Sequence, residues 1–151
     1  RVGHSFIKAK MAETNAVFGG EHSAHYYFRD FWRADSGMLA AMHVLAALGQ
    51  QDKPLSEMMA KYNRYAASGE INSRLDSAEA QADRTEAVAK AFADRAENVD
   101  RLDGVTVELK DGNWFNVRAS NTEPLLRLNV EADTQEAVDA LVKEILAIIR
   151  A

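Results

Sequence analysis

The chain reads as an α/β segment followed by a small antiparallel sheet backed by two helices. Three observations predict this. Helical and extended stretches alternate through the first 65 residues. Short runs of strict apolar and polar alternation crowd together after residue 100, and two helical segments with apolar faces flank those runs. A small polar stretch between the halves, Ala66-Ala67-Ser68-Gly69, predicts a linker.

In order, the pattern predicts a helix from His4 to Glu13, then a short strand Ala16-Val17-Phe18 leading into a Gly-Gly-Glu loop, and a strand His25-Tyr26-Tyr27-Phe28. Asp35 or Ser36 suits the cap of a helix from Gly37 to about Leu48. Its apolar residues Met38, Leu39, Met42, Leu45 and Leu48 wrap much of the circumference, which predicts burial. Pro54 suits the first turn of a short helix ending near Tyr65. In the second half, Ile71 to Leu75 reads as a strand, and the alanine-rich run from Glu79 to Arg95 as a helix with Val88 and Phe92 on one face. Val105, Val107 and Leu109 alternate with polar neighbours, Asp111-Gly112 signals a hairpin, and Trp114 to Val117 returns. Leu126, Leu128 and Val130 repeat the alternation. Asp133 and Glu136 have capping-box spacing for a last helix whose stripe is Val138, Leu141, Val142, Ile145 and Ile149.

At 151 residues with 47% hydrophobic content the chain can build a real core, as one domain or two small ones. It has no cysteine, hence no disulfide framework and no thiolate metal site. No long apolar run or export signal stands out, so a cytoplasmic location is expected. The net charge of −5, with acids and bases interspersed, argues against a nucleic-acid binder. Any anion site must therefore be local.

One such site is Arg118-Ala119-Ser120-Asn121-Thr122-Glu123-Pro124, between two strand-like runs. Arg118 offers a planar fork that matches phosphate oxygens, and Ser120, Asn121 and Thr122 add neutral donors in one turn. Composition alone would leave this an ordinary polar turn. A second concentration is Gly19-Gly20-Glu21-His22-Ser23-Ala24-His25, where a carboxylate and a hydroxyl sit in a glycine-flanked loop. A third is Val2-Gly3-His4-Ser5-Phe6-Ile7-Lys8.

Together these three motifs resemble the C-terminal signatures of the α-D-phosphohexomutases, in the phosphomannomutase/phosphoglucomutase branch. The resemblance covers nearly the whole chain. It implies that residues 1–65 are the end of the family's third domain, a partial α/β domain, and residues 66–151 its fourth, a TATA-binding-protein-like antiparallel sheet with two helices. It implies that Arg118, Ser120, Asn121 and Thr122 hold substrate phosphate, and that Gly3, His4, Glu21, Ser23 and His25 meet the sugar. Contact or proton transfer is open for His4 and His25. Ala24 stands where the pattern has Gly, which strains the loop if φ is positive there.

The resemblance further implies a C-terminal piece of a longer enzyme, because the family's phosphoserine loop and Asp-x-Asp-x-Asp magnesium loop have no counterpart here. The activity implied is interconversion of hexose 1- and 6-phosphates, of mannose or glucose, through a hexose 1,6-bisphosphate, with Mg2+ bound by a domain outside this chain. The expected partners are the hexose phosphate and the enzyme's N-terminal domains, with no nucleic acid and no membrane. Two other readings stand. A phosphoglucosamine mutase usually has Gly where Asn121 lies, and a non-catalytic sugar-phosphate-binding module would need only a clamp and a reader.

The remaining candidates have plainer readings. His22 occupies the loop's variable position, either exposed or facing substrate, and His43 reads as structural. The four histidines fit no compact zinc spacing, so no metal ligand is assigned. Lys8 and Lys10 read as solvated stems, and Tyr26, Tyr27, Trp114 and Phe115 as sheet residues. Glu123 would repel phosphate and is expected to accept backbone hydrogen bonds that shape its loop.

Overall fold

The computed structural model describes every residue except Arg1, His22, Asn121 and Thr122. The chain divides into two compact units, Arg1–Tyr62 and Asn63–Ala151.

The first unit opens with helix α1 (His4–Thr14), closed by Asn15 in the left-handed conformation. Strands β1 (Phe18–Gly20), β2 (Tyr26–Phe28) and β3 (Ala34–Asp35) form an antiparallel sheet in that order. Helix α1 reaches β1 closely because Gly19 has no side chain: a Cβ there would lie 2.9 Å from Met11 Sδ and 3.0 Å from Ile7 Cγ2. Met11 is buried as a result.

Helix α2 (Gly37–Gly49) is capped by Ser36, whose hydroxyl accepts from the Leu39 amide. Asp35, the other cap candidate, is otherwise engaged. The expected burial of α2 is not met: Met38 is 74% exposed, Met42 58% and Leu45 65%. A helix apolar around most of its circumference needs neighbours on several sides, and this unit's small sheet touches only part of it. One such contact is His43, stacked on Phe28 with ring centroids 5.4 Å apart. Helix α3 (Leu55–Ala60) starts after Pro54 and ends well short of Tyr65.

The second unit is a six-stranded antiparallel sheet with two helices. Its strands are β4 (Ala66–Ala67), β5 (Ile71–Arg74), β6 (Ala96–Asp100), β7 (Val105–Leu109), β8 (Trp114–Ala119) and β9 (Leu125–Ala132). They run β4-β9-β8-β7-β6, with β5 also pairing with β9. The stretch expected to be a linker is part of this sheet: Ala66 and Ala67 pair with Ala132 and Glu131, and the Ser68 hydroxyl accepts from the Val130 amide at 2.9 Å. Small residues there serve close strand pairing. Strand β6 escapes sequence reading because, of its residues, all but Ala96 are exposed and it lacks inward alternation.

Helix α4 (Ala78–Ala91) is capped by Ser77 and followed by a 3-10 turn, Ala93–Arg95, so the helix predicted through Arg95 breaks at Phe92. Helix α5 (Gln135–Ile149) is capped by Thr134, whose hydroxyl accepts from the Ala137 amide; the expected Asp133–Glu136 box lies one residue out of phase. The core joins Val88 of α4, Phe92 just after it, Val138, Leu141, Ile145 and Ile149 of α5, and the inward residues of β7, β8 and β9. Phe92 meets Phe115 edge to face at 4.8 Å, a favourable aromatic geometry.

Gly104, before β7, has φ +71°, and a Cβ there would meet the Val117 carbonyl oxygen and lie 2.7 Å from Arg118 Cα. Gly112 has φ +87° but open space around it. Gly104→Ala is therefore expected to cost about 3 kcal/mol or more, and Gly112→Ala only about 1–2 kcal/mol of left-handed strain. Chemical denaturation of the two variants checks this; equal losses would show that the β8 backbone yields freely at Gly104.

Candidate functional site

In the first unit the site is the loop between β1 and β2. Its ends are closed by the Glu21 amide donating to the His25 carbonyl at 2.9 Å and the Ala24 amide to the Glu21 carbonyl at 3.0 Å. The Glu21 side chain is fixed from two directions. The hydroxyl of buried Tyr27 donates to Oε1 at 2.5 Å, and the Gly3 amide, at the N-terminus of α1, donates to Oε2 at 3.2 Å. A helix N-terminus favours such a negative charge. Burial, followed by the bond to Glu21, pushes the Tyr27 hydroxyl up to about 12, so it stays a donor throughout the physiological range.

A carboxylate has about four lone-pair positions, and these two bonds leave acceptor capacity on both oxygens. That capacity faces a cleft of about 380 Å³ lined by Gly3, His4, Lys8, Glu21, Ser23, His25, Tyr27, Ala34 and Asp35. Five of these, Gly3, His4, Glu21, Ser23 and His25, were singled out from the sequence. Lys8 was read as a solvated stem but joins the lining, because it lies one helical turn from His4. Lys10 does pair outward, with Glu13 at 2.9 Å.

Asp35 organises the cleft's other side. Its Oδ2 lies 2.5 Å from His25 Nδ1, and its Oδ1 accepts from the Tyr26 amide at 2.9 Å. The hydrogen bond to Asp35 and its charge raise the His25 pKa above the ordinary histidine value, while the His25 bond holds Asp35 low. Tyr27 and Asp35 carried no functional signal in sequence; each needed the sheet register, which places Tyr27 opposite Asp35.

In the second unit the phosphate-loop candidate joins β8 to β9. Arg118 and Arg127 are direct cross-strand partners. Between them lies Glu70, whose Oε2 is 3.6 Å from Arg118 and 3.4 Å from Arg127. Arg127 also donates to Ser120 Oγ at 3.2 Å and reaches Glu123 at 3.5 Å. Ser120 Oγ accepts from the Glu123 amide too, at 3.3 Å. The Glu123 carboxylate, expected to accept backbone hydrogen bonds, meets Arg127 among the described residues, and the Glu123 amide ties the loop to Ser120.

Arg127 and Glu70 were missed. The period-2 pattern of Leu126, Leu128 and Val130 was a signal for Arg127, since it puts residue 127 on the face of Arg118. Asn121 and Thr122, the remaining phosphate candidates, and His22 in the sugar loop lie outside the described residues. Among the described residues no group of three or more histidine, aspartate or glutamate side chains is placed to hold a metal ion.

Two outcomes follow for the sugar loop. Ala24 has φ +64°, so Ala24→Gly should stabilise the chain by about 0.5–1 kcal/mol in a urea unfolding curve; destabilisation would show that the loop does not carry this strain. The His25–Asp35 pair favours the folded loop between two limits. The His25 contribution is full below its unfolded pKa, near 6.5, and fades as pH rises through its higher folded value; that of Asp35 fades as pH falls through its depressed value, below 3.8. Asp35→Asn should lower the His25 midpoint in an NMR titration, and an unmoved midpoint would exclude Asp35 as the cause.

With this geometry in place, comparison with known proteins gives a consistent result. The model of phosphoglucomutase/phosphomannomutase alpha/beta/alpha domain III matches residues 1–65, and that of the phosphoglucomutase/phosphomannomutase C-terminal domain matches residues 70–148. A phosphomannomutase of Methanocaldococcus jannaschii is 42% identical over 149 residues, covering 99% of this chain and 32% of its own length. A protein of Xanthomonas campestris named for phosphohexose mutases is 45% identical over 131 residues, 85% of this chain and 28% of its own. A crystal structure of a phosphoglucomutase/phosphomannomutase family protein from Burkholderia thailandensis superposes with a TM-score of 0.76 at 29% identity, over 99% of this chain and 32% of that one. The chain thus spans about a third of the length of the relatives it matches. It belongs to the phosphoglucomutase/phosphomannomutase family, matching that family's domain III and C-terminal domain.

Proposed function

We propose that this chain supplies the substrate-binding part of a phosphomannomutase/phosphoglucomutase, which interconverts hexose 1- and 6-phosphates by phosphoryl transfer through a hexose 1,6-bisphosphate. The observation that carries this is the Glu21 carboxylate, fixed by Tyr27 and Gly3 yet open to the cleft. A rigid acceptor of this kind suits two neighbouring sugar hydroxyls better than a single donor. The 3- and 4-hydroxyls are alike in glucose and mannose, so a reader that grips those two accepts both sugars.

Each other residue then has a role its chemistry allows. Ser23 donates or accepts beside Glu21, and His4 and the His25 imidazolium donate to sugar or phosphate oxygens. In the second unit Arg118 presents its fork to phosphate, with Ser120, Asn121 and Thr122 as neutral donors. A reaction that turns its substrate end for end needs such fixed contacts, so that either phosphate is held while the other reacts. The described residues do not provide a magnesium cage, and magnesium and a phosphoserine are assigned in this reading to parts of the enzyme outside this chain. Among the described residues no helix is long and apolar enough to cross a membrane, and the charged sugar substrates suit the cytoplasm.

The test is a titration of the 151-residue chain with glucose 1-phosphate and mannose 1-phosphate, followed by NMR and calorimetry. Both sugars should perturb Glu21, Ser23, His25 and Arg118, without turnover even with magnesium and hexose bisphosphate. Arg118→Ala should weaken binding by about 1.5–3 kcal/mol, Ser120→Ala by about 1, and Arg118→Lys should recover part of the loss. Wild-type binding by Arg118→Ala would remove the clamp from the account, and turnover by the chain would remove the dependence on other parts.

A further inference from the structure

Arg118 and Arg127 face each other across β8 and β9, where like charges are unfavourable unless an anion stands between them. Glu70 is that anion, and one of its oxygens, Oε2, serves both guanidinium groups. All three side chains are largely shielded, with 17%, 23% and 28% exposure for Arg118, Arg127 and Glu70, so solvent screens them incompletely. With the more exposed Glu123, 3.5 Å from Arg127, the two guanidinium charges are matched by two carboxylates, and Glu70 is the one paired with Arg118.

The two arginines are not held alike. Arg127 makes hydrogen bonds to Glu70 at 3.4 Å and to Ser120 at 3.2 Å, and reaches Glu123 at 3.5 Å. Arg118 approaches Glu70 only at 3.6 Å, an ion pair beyond hydrogen-bond length. Resting on the reading of Arg118 as the phosphate clamp, we propose that Glu70 is a placeholder for the substrate's phosphate: it balances both arginines in the free protein, and on binding Arg127 keeps Glu70 while Arg118 turns to the ligand. Arg127 is then a positioning residue, acting by holding Glu70 away from the phosphate.

Inorganic phosphate is the probe, titrated calorimetrically at low salt into the full chain and four variants, Arg118→Ala among them. Glu70→Gln should tighten binding about three- to fivefold, by removing a competing anion, and Arg127→Gln should weaken it by a similar factor, by surrendering Glu70 to Arg118. The double variant should bind about as tightly as Glu70→Gln, because Arg127 loses its hold over phosphate binding once Glu70 is neutral, whereas independent effects would cancel to wild-type affinity. In the wild-type protein, which needs no variant to fold, phosphate should move the Arg118 Nε–H resonance more than that of Arg127.

Unchanged or weaker binding by Glu70→Gln overturns the placeholder. A double variant at or below wild-type affinity shows Arg127 acting other than through Glu70, by touching phosphate or by holding Ser120 and Glu123, and overturns the handover, as does a larger shift at Arg127 than at Arg118. Wild-type binding that Arg118→Ala abolishes, without a gain in Glu70→Gln, leaves the clamp standing and removes only Glu70. No phosphate binding by the wild type overturns clamp and placeholder together.

Discussion

The register of β8 against β9 is the constraint on which the second unit depends. It sets Phe115 opposite Val130, Val117 opposite Leu128 and Ala119 opposite Leu126, and the four larger apolar partners among these, with Leu126, are wholly buried beneath the helices. Because side chains alternate across a sheet, the same register puts Arg118 and Arg127 together on the other face. A slip of one residue would bury the arginines and expose the core. Core packing and the position of the charged pair are thus one fact. Gly104, pressed against the backbone of Val117 and Arg118, adds a steric stop at the end of the run where the arginines lie.

The first unit solves a different problem. A loop carboxylate is ordinarily mobile and solvated, and a mobile acceptor loses entropy each time it orders around a ligand. Glu21 is ordered beforehand by a hydroxyl from β2 and an amide from the start of α1. Packing of α1 on β1, made possible by Gly19, brings that amide within reach. Asp35 does the same for His25 from β3 while tying down the Tyr26 amide. Both functional side chains therefore borrow rigidity from the sheet. The strain at Ala24 lies between them, in the tip of the loop, where the two backbone bonds of the loop keep it in place.

Much of this was legible in the residues, and the failures have physical causes. Period-2 runs and helix caps located β7, β8, β9 and α2, since those signals are local. What stayed hidden depended on partners distant in sequence: Ala66-Ala67 reads as a linker until β9 is beside it, and β6 shows no alternation because all of it but Ala96 is exposed. The apolar surround of α2 stated correctly that the helix has several sticky sides, but periodicity carries no information about what is present to cover them. In the site, residue types with obvious chemistry stood out: Glu21, His25 and Arg118. Their supports, Tyr27, Asp35, Glu70 and Arg127, did not, because a tyrosine in a strand or a glutamate after a glycine acquires meaning only through register.

Under the proposed reading, the two sites accommodate an anion in an acidic chain by local means. With a net charge of −5, the far field does not attract phosphate, and at physiological salt it decays over about 8 Å. What remains is local arrangement. On β8 and β9 two guanidinium groups share Glu70 in a shielded place, and Arg127 also reaches the more exposed Glu123, which leaves Arg118 the less tightly held of the two. In the cleft the balance is reversed: Glu21 keeps acceptor capacity, while Asp35 is spent on His25 and raises the pKa of that ring. Hydroxyl recognition needs acceptors and phosphate recognition needs donors. The chain places each where neighbouring strands can hold it still, and short-range geometry does what net charge cannot.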